Sequence, residues 1–151
     1  MTQASSPTDT TSATSGRAPS ACRPANHTAK IMIGPASAGH HHYRVTLTAP
    51  PGYEPCSLAG SPTDVRFYHH GDSLDGVSPG RYGPQHTVVH FGPGRPAHFD
   101  IQVPHSTDGT PADEAAFTLR TPDGVIPGES AAYGPLTVAV GTVVGPIQPG
   151  A

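Results

Sequence analysis

Eighteen glycines and nineteen prolines are scattered through a chain of 151 residues, and they constrain its folding more than any other feature. Proline inside a helix removes a backbone hydrogen bond and clashes with the preceding turn, and glycine weakens a helix by about 1 kcal/mol relative to alanine. Few stretches are free of both for long enough to form a helix. Between them lie short apolar runs that alternate with polar residues, the period-two pattern of strands with one buried face. An all-β fold is therefore expected, with glycine and proline as turn punctuation.

The alternation assigns faces. In Ala29-Lys30-Ile31-Met32-Ile33 the odd positions form the inward set. From His41 to Ala49 the inward set is Tyr43, Val45, Leu47 and Ala49, with His42, Arg44, Thr46 and Thr48 outward. Val65 and Phe67, then Val89 and Phe91, mark the next inward pairs. Gly92-Pro93-Gly94-Arg95 reads as a hairpin turn, followed by Phe99, Ile101 and Val103 on the return strand. Phe117 and Leu119 mark a short strand; Leu136, Val138 and Val140 mark the last, continuing weakly to Val144. About seven strands at this spacing predict a β-sandwich. One helical turn is expected at Thr110-Pro111-Ala112-Asp113, with Thr as cap and Pro at the first helical position.

Cys22 and Cys56 are the only cysteines. In so regular a β pattern the pair reads as a structural disulfide, which places the chain outside the reducing cytosol. The competing reading is a cytosolic protein with two free thiols. Residues 1–20 are almost entirely Ser, Thr, Ala, Pro and Gly, too polar to offset the entropy of ordering, and are expected to be a disordered linker or an unordered terminus. They lack the apolar stretch of a signal peptide, so the export reading takes the chain as a mature or trimmed form. The domain is expected over residues 21–146, with 147–151 as a flexible end. Charged residues are 13%, the formal net charge is −3, and Lys30 is the only lysine, which argues against nucleic acid as a partner. No apolar run approaches the ~20 residues of a membrane-crossing helix.

Several of these segments carry a family resemblance. Cys22 precedes the first strand, and Gly39-His40 leads into Tyr43-Arg44-Val45-Thr46-Leu47-Thr48. Then follow Cys56-Ser57-Leu58-Ala59-Gly60-Ser61-Pro62 and Gly92-Pro93-Gly94-Arg95-Pro96-Ala97-His98-Phe99, with Leu136-Thr137-Val138-Ala139-Val140 as the closing strand. Over roughly residues 22–145 this resembles an actinobacterial family of exported domains known as domain of unknown function 4232. Its most specific signature is C-x-L-x-G-x-P. The resemblance implies export, often as a lipoprotein, an immunoglobulin-like antiparallel sandwich and a Cys22–Cys56 bridge. It supplies no activity. The chain departs from the family at Ala49-Pro50-Pro51, where Asn is common, and lacks a second cysteine pair.

Ten histidines against eight lysines plus arginines form the most unusual chemical feature. On a strand, His40 and His42 share a face at roughly 6–7 Å, an H-x-H pair able to chelate Cu or Zn, with His69 or His70 as a third ligand if strand ends meet. His86 and His90 also share a face, about 13 Å apart. Against this stands the plain reading of histidine as a solvent-facing polar residue. No G-x-S-x-G, P-loop or H-E-x-x-H motif is present, so no enzyme is expected. Asp72, Asp75, Asp113 and Glu114 read as carboxylates in polar loops. Tyr53, Tyr68 and Tyr82, with Tyr133, read as outward or loop aromatics suited to a partner or as covers of local apolar spots.

The sequence thus supports a disulfide-stapled β-domain, secreted or at the cell envelope, that binds an envelope protein or a glycan without catalysis. Its alternative is a transition-metal protein using His40, His42, His69 and His70, with no cofactor other than Cu or Zn. Oligomeric state is left open.

Overall fold

The computed structural model describes residues 18–35, 39–105 and 109–151. The expected linker lies outside the described residues as far as residue 17. Residues 18–20 are bonded to the loop before Cys56: Glu54 N–H donates to Pro19 O at 2.9 Å, and Ala21 N–H donates to Glu54 O at 2.9 Å.

The fold is all-β, and its one helical piece among the described residues is a 3-10 turn at Pro24–Asn26. The strands are β1 (Thr28–Ile33), β2 (His40–Thr48), β3 (Cys56–Ala59), β4 (Thr63–His69), β5 (Asp72–Ser73), β6 (Gly80–Arg81) and β7 (Val88–Phe91). They continue with β8 (Ala97–Pro104), β9 (Thr110–Thr118), β10 (Arg120–Thr121), β11 (Gly124–Val125), β12 (Ser130–Val138), β13 (Val143–Val144) and β14 (Gln148–Pro149). The main sheet runs β5-β4-β9-β12-β1-β2-β8-β13-β6, with β14 also on β8; β10–β11 and β3–β7 are separate two-stranded ribbons. β1–β12 and β13–β6 are parallel and the other pairs antiparallel, so the sheet is mixed.

The sheet curls upon itself. Phe99 on β8 and Phe117 on β9 meet edge to face with ring centroids 5.0 Å apart. Four interstrand steps separate β9 from β8 in the sheet order, about 19 Å if the sheet were flat. Both rings are fully buried, with Val45, Leu47, Phe67, Phe91, Ile101 and Val138, in one continuous core. The inward residues expected on β2, β7 and β8 are the buried ones.

Cys22 and Cys56 form a disulfide with Cα atoms 6.0 Å apart. It joins the segment before β1 to the first residue of β3, whose ribbon shares no strand pairing with the main sheet.

Four local expectations are corrected. Thr110–Asp113 is strand, paired with β12 through Thr110↔Val138 and Ala112↔Leu136, because long-range pairing overrides a local capping signal. Pro111 is tolerated there because β4 ends at His69, leaving the start of β9 without a paired strand on that side among the described residues. Ile33 is 80% exposed, since β12 leaves β1 after Tyr133 and no other strand among the described residues pairs with the end of β1 on that side. Val140 stands at the tip of a turn closed by Thr142, whose N–H and hydroxyl both donate to Ala139 O, and is 83% exposed. Residues 147–151 are pinned: Ile147 is buried, its N–H donates to Gly60 O at 3.0 Å, and Gly150 N–H donates to Pro96 O at 2.9 Å.

The departure of β12 from β1 is a β-bulge. Tyr133 faces Glu114 and Leu136 faces Ala112, so Gly134 and Pro135 together oppose Asp113. Beyond the bulge Thr137 N–H donates to the Tyr43 hydroxyl at 3.1 Å, which satisfies a strand donor that β1 no longer reaches.

Candidate functional sites

Two places gather chemistry: the outer face of the sheet around β1, and the inner rim where β4 meets β9.

One pairing row crosses the outer face through Tyr68, Glu114, Tyr133, Lys30 and Thr46. Next to it Met32 is 54% exposed and Tyr133 60% exposed, and both line, with Ile33, Lys30, Arg44 and Thr46, a shallow concavity of about 820 Å³. Arg44 Nε donates to Asp100 Oδ1 at 2.9 Å across the β2–β8 pair, and this hydrogen bond raises the guanidinium pKa. Lys30 supplies a second positive charge. Of the tyrosines expected to meet a partner, Tyr53 packs against the core and Tyr82 lies over Gly145, where burial pushes its phenol pKa up. Tyr68 is half-buried on β4. Tyr133 is the exposed aromatic of the face and Met32 joins it there, while Ile33, on the opposite phase at the end of β1, lines the same concavity from the strand end. Strand alternation puts Met32 outward, but the exposure of Ile33 follows only from where β12 departs.

At the rim, His69 continues the inward phase of Phe67, and Asp113 that of Ala115 and Phe117. The two stand opposite each other one step beyond the Tyr68↔Glu114 pair. Asp113 therefore lies in a strand rather than the expected loop. His70 and Gly71 form the two-residue turn between β4 and β5, with φ of 50° and 86°. Positive φ at both turn positions suits a tight hairpin. Consecutive strand residues point to opposite faces, but this turn brings the His70 ring back onto His69, with centroids 3.9 Å apart and planes 20° apart. Asp113 Oδ2 accepts His70 N–H at 2.9 Å and lies 3.8 Å from His69 Nδ1 and 3.7 Å from His70 Nε2.

The remaining histidines are placed separately. His40 and His42 lie on the outward phase of β2, opposite Pro104 and Gln102, and the register does not carry them into the His69–His70 group. His41 meets His105, with ring centroids 4.3 Å apart. His90 Nδ1 is 3.3 Å from Ser57 Oγ at the surface. His27 is buried beside Phe91: its Nδ1 is 2.8 Å from Ala21 O and its Nε2 2.9 Å from Ser130 Oγ. A carbonyl only accepts, so Nδ1 carries the proton and Nε2 accepts from Ser130. Burial lowers the His27 pKa, partly opposed by its hydrogen bond to the Ala21 carbonyl.

A family model described as Domain of unknown function (DUF4232) matches residues 22–147. The chain belongs to this family. Neither curated proteins nor solved structures gave a match. The C-x-L-x-G-x-P signature has a structural reason at each position in this DUF4232 domain. Cys56 takes the disulfide and Leu58 is fully buried. Gly60 has φ of 81°, and a Cβ there would stand 2.9 Å from Gln85 O. Pro62 is buried next to Ser61, whose N–H donates to Gln85 Oε1 at 2.8 Å and whose hydroxyl donates to Val144 O at 3.0 Å. Gln85 Nε2 returns a bond to Ser61 Oγ at 2.9 Å, so the motif latches the β6–β7 loop to the body.

Proposed function

We propose that this domain is a non-catalytic binding module working outside the cytosol, on an immunoglobulin-like scaffold, and that it recognises an extended segment of a partner protein along β1. The observation that carries the reading is the cluster of exposed Met32, Ile33 and Tyr133 on one concavity beside Lys30. The disulfide supports the compartment, since such bridges persist in oxidising surroundings.

The edge of β1 supports the form of the partner. Gly34 N–H pairs with His42 O, so by alternation the Ile33 backbone faces the side that β12 has left. No strand pairs there among the described residues. An extended segment can add along such an edge through its main chain, with side chains filling alternate pockets. Apolar residues of that segment would rest on Met32, Ile33 and Tyr133, and an acidic one would meet Lys30, the only lysine of a chain with net charge −3.

The test places a photo-crosslinking residue at position 133 of the intact chain in its native cells, with position 88, exposed on β7, as the control. The captured partner is then purified and titrated against the wild type and Ile33→Asp. Capture specific to position 133 and at least tenfold weaker binding by Ile33→Asp are expected. Equal capture at position 88, unchanged affinity, binding to a purified glycan instead, or self-association through this face would overturn the assignment.

A further inference from the structure

We infer that His69, His70 and Asp113 form a binding site for one divalent transition-metal ion of the Zn²⁺ or Cu²⁺ class. One ligand atom from each of the three, a ring nitrogen of His69, a ring nitrogen of His70 and an Asp113 carboxylate oxygen, lies within 4.8 Å of the other two. Metal–nitrogen and metal–oxygen bonds of about 2.0–2.2 Å place neighbouring tetrahedral ligands roughly 3.3 Å apart. The distances of 3.8 and 3.7 Å from Asp113 to the two rings are therefore about half an ångström wider than an occupied site. Occupancy also requires the stacked rings, whose planes are 20° apart, to turn about their side-chain torsions until both in-plane lone pairs meet one ion, a movement that their partial exposure leaves room for.

A second observation points the same way. His69 Nδ1 is a buried polar atom without a hydrogen-bond partner. Such an atom calls for a partner, which a water molecule or an ion can supply. The fold supplies the supports of a ligand set. The left-handed turn at His70 aims the second ring at the first, and the His70 N–H fixes the Asp113 carboxylate at 2.9 Å. Hydrogen bonds of this kind to a ligating group orient it and tune its affinity. Two imidazoles and one carboxylate suit Zn²⁺ and Cu²⁺ and offer little to Ca²⁺ or Mg²⁺, which take oxygen. Three protein ligands leave a coordination position open, and the His70 side chain is 78% exposed, so an outside ligand has access.

The site lies on the inner rim, whereas the proposed partner face is on the outside of the sheet, so each stands or falls alone. The test is calorimetric titration of tag-free, disulfide-intact protein with Zn²⁺, Cu²⁺ and Ca²⁺ at pH 7.4. Variants are His69→Gln, His70→Asn and Asp113→Asn; asparagine tolerates the positive φ at position 70. The control is His40→Gln with His42→Gln. One site per chain, Cu²⁺ tighter than Zn²⁺, no heat with Ca²⁺, and at least a hundredfold loss in each single variant are expected. Imidazole ¹⁵N spectra should show Zn²⁺ shifting His69 Nδ1 and His70 Nε2. Affinity unchanged by the three substitutions, affinity lost only in the His40/His42 control, or Zn²⁺ binding weaker than about 100 µM would overturn the site.

Discussion

Reducing the Cys22–Cys56 bridge is the perturbation whose magnitude follows most directly from the fold. The cysteines are 34 residues apart in sequence, and the loop they close contains β1 and β2, central strands of the sheet. Closing a loop of that length removes roughly 13 cal/mol/K from the unfolded chain, about 4 kcal/mol at 25 °C. Unfolding entropy of ~2.1 cal/mol/K per residue gives ~0.28 kcal/mol/K for the ordered part, so the melting temperature should fall by about 14 °C. The constraint acts on the unfolded state, so reduction should also let the unfolded chain expand. Urea unfolding with and without reductant should then show a lower stability together with a steeper denaturant dependence. Cys22→Ala with Cys56→Ala should lose at least as much, because Cys22 is buried and its sulfur packs in the core. A melting temperature within about 2 °C of the oxidised protein, with an unchanged urea slope, would refute the loop-closure argument.

Two further perturbations probe separate parts of the fold. Gly134→Ala would set a Cβ against Ile31 O at a position with φ of 150°, so it should destabilise by about 1–3 kcal/mol in urea melts; a neutral result would mean that the bulge relaxes freely. His27 has its pKa lowered below 6.5 by burial, so the unfolded state takes up its proton first. Stability should be intact above pH 6.5 and decline as pH falls from there towards the folded pKa, with a flatter profile in His27→Gln; identical slopes for the two proteins would exclude His27 as the source.

How much was legible in the sequence differs between fold and site. The phases of β2, β7 and β8 could be read because each depends on residues two apart, and Phe99, Ile101 and Val103 are buried as their alternation requires. The disulfide was legible because two cysteines permit only one intrachain pairing. Thr110–Asp113 was misread because its capping pattern is local, while its pairing with β12 spans more than 20 residues. Ile33 has the right phase and the wrong surroundings, since alternation gives direction and not what lies in that direction, whereas Val140 lies past the end of β12 in a turn.

The candidate site divides along the same line. Sequence alone determined that the chain would be built from strands, where glycine and proline would turn it, and that histidine was its unusual chemical resource. Those are properties of neighbours along the chain, set by backbone sterics and side-chain alternation. Only the tertiary structure decided which histidines meet and what stands opposite them. It left His40 and His42 on the outer phase of β2 and brought Asp113, 43 residues from His70, within hydrogen-bonding reach of the β4–β5 turn. It also decided that β12 would part from β1 and leave Met32, Ile33 and Tyr133 in water. Strand order and the closing of the curl are set by the joint burial of Phe67, Phe91, Phe99 and Phe117 in one core, a sum over the whole chain that no local window contains.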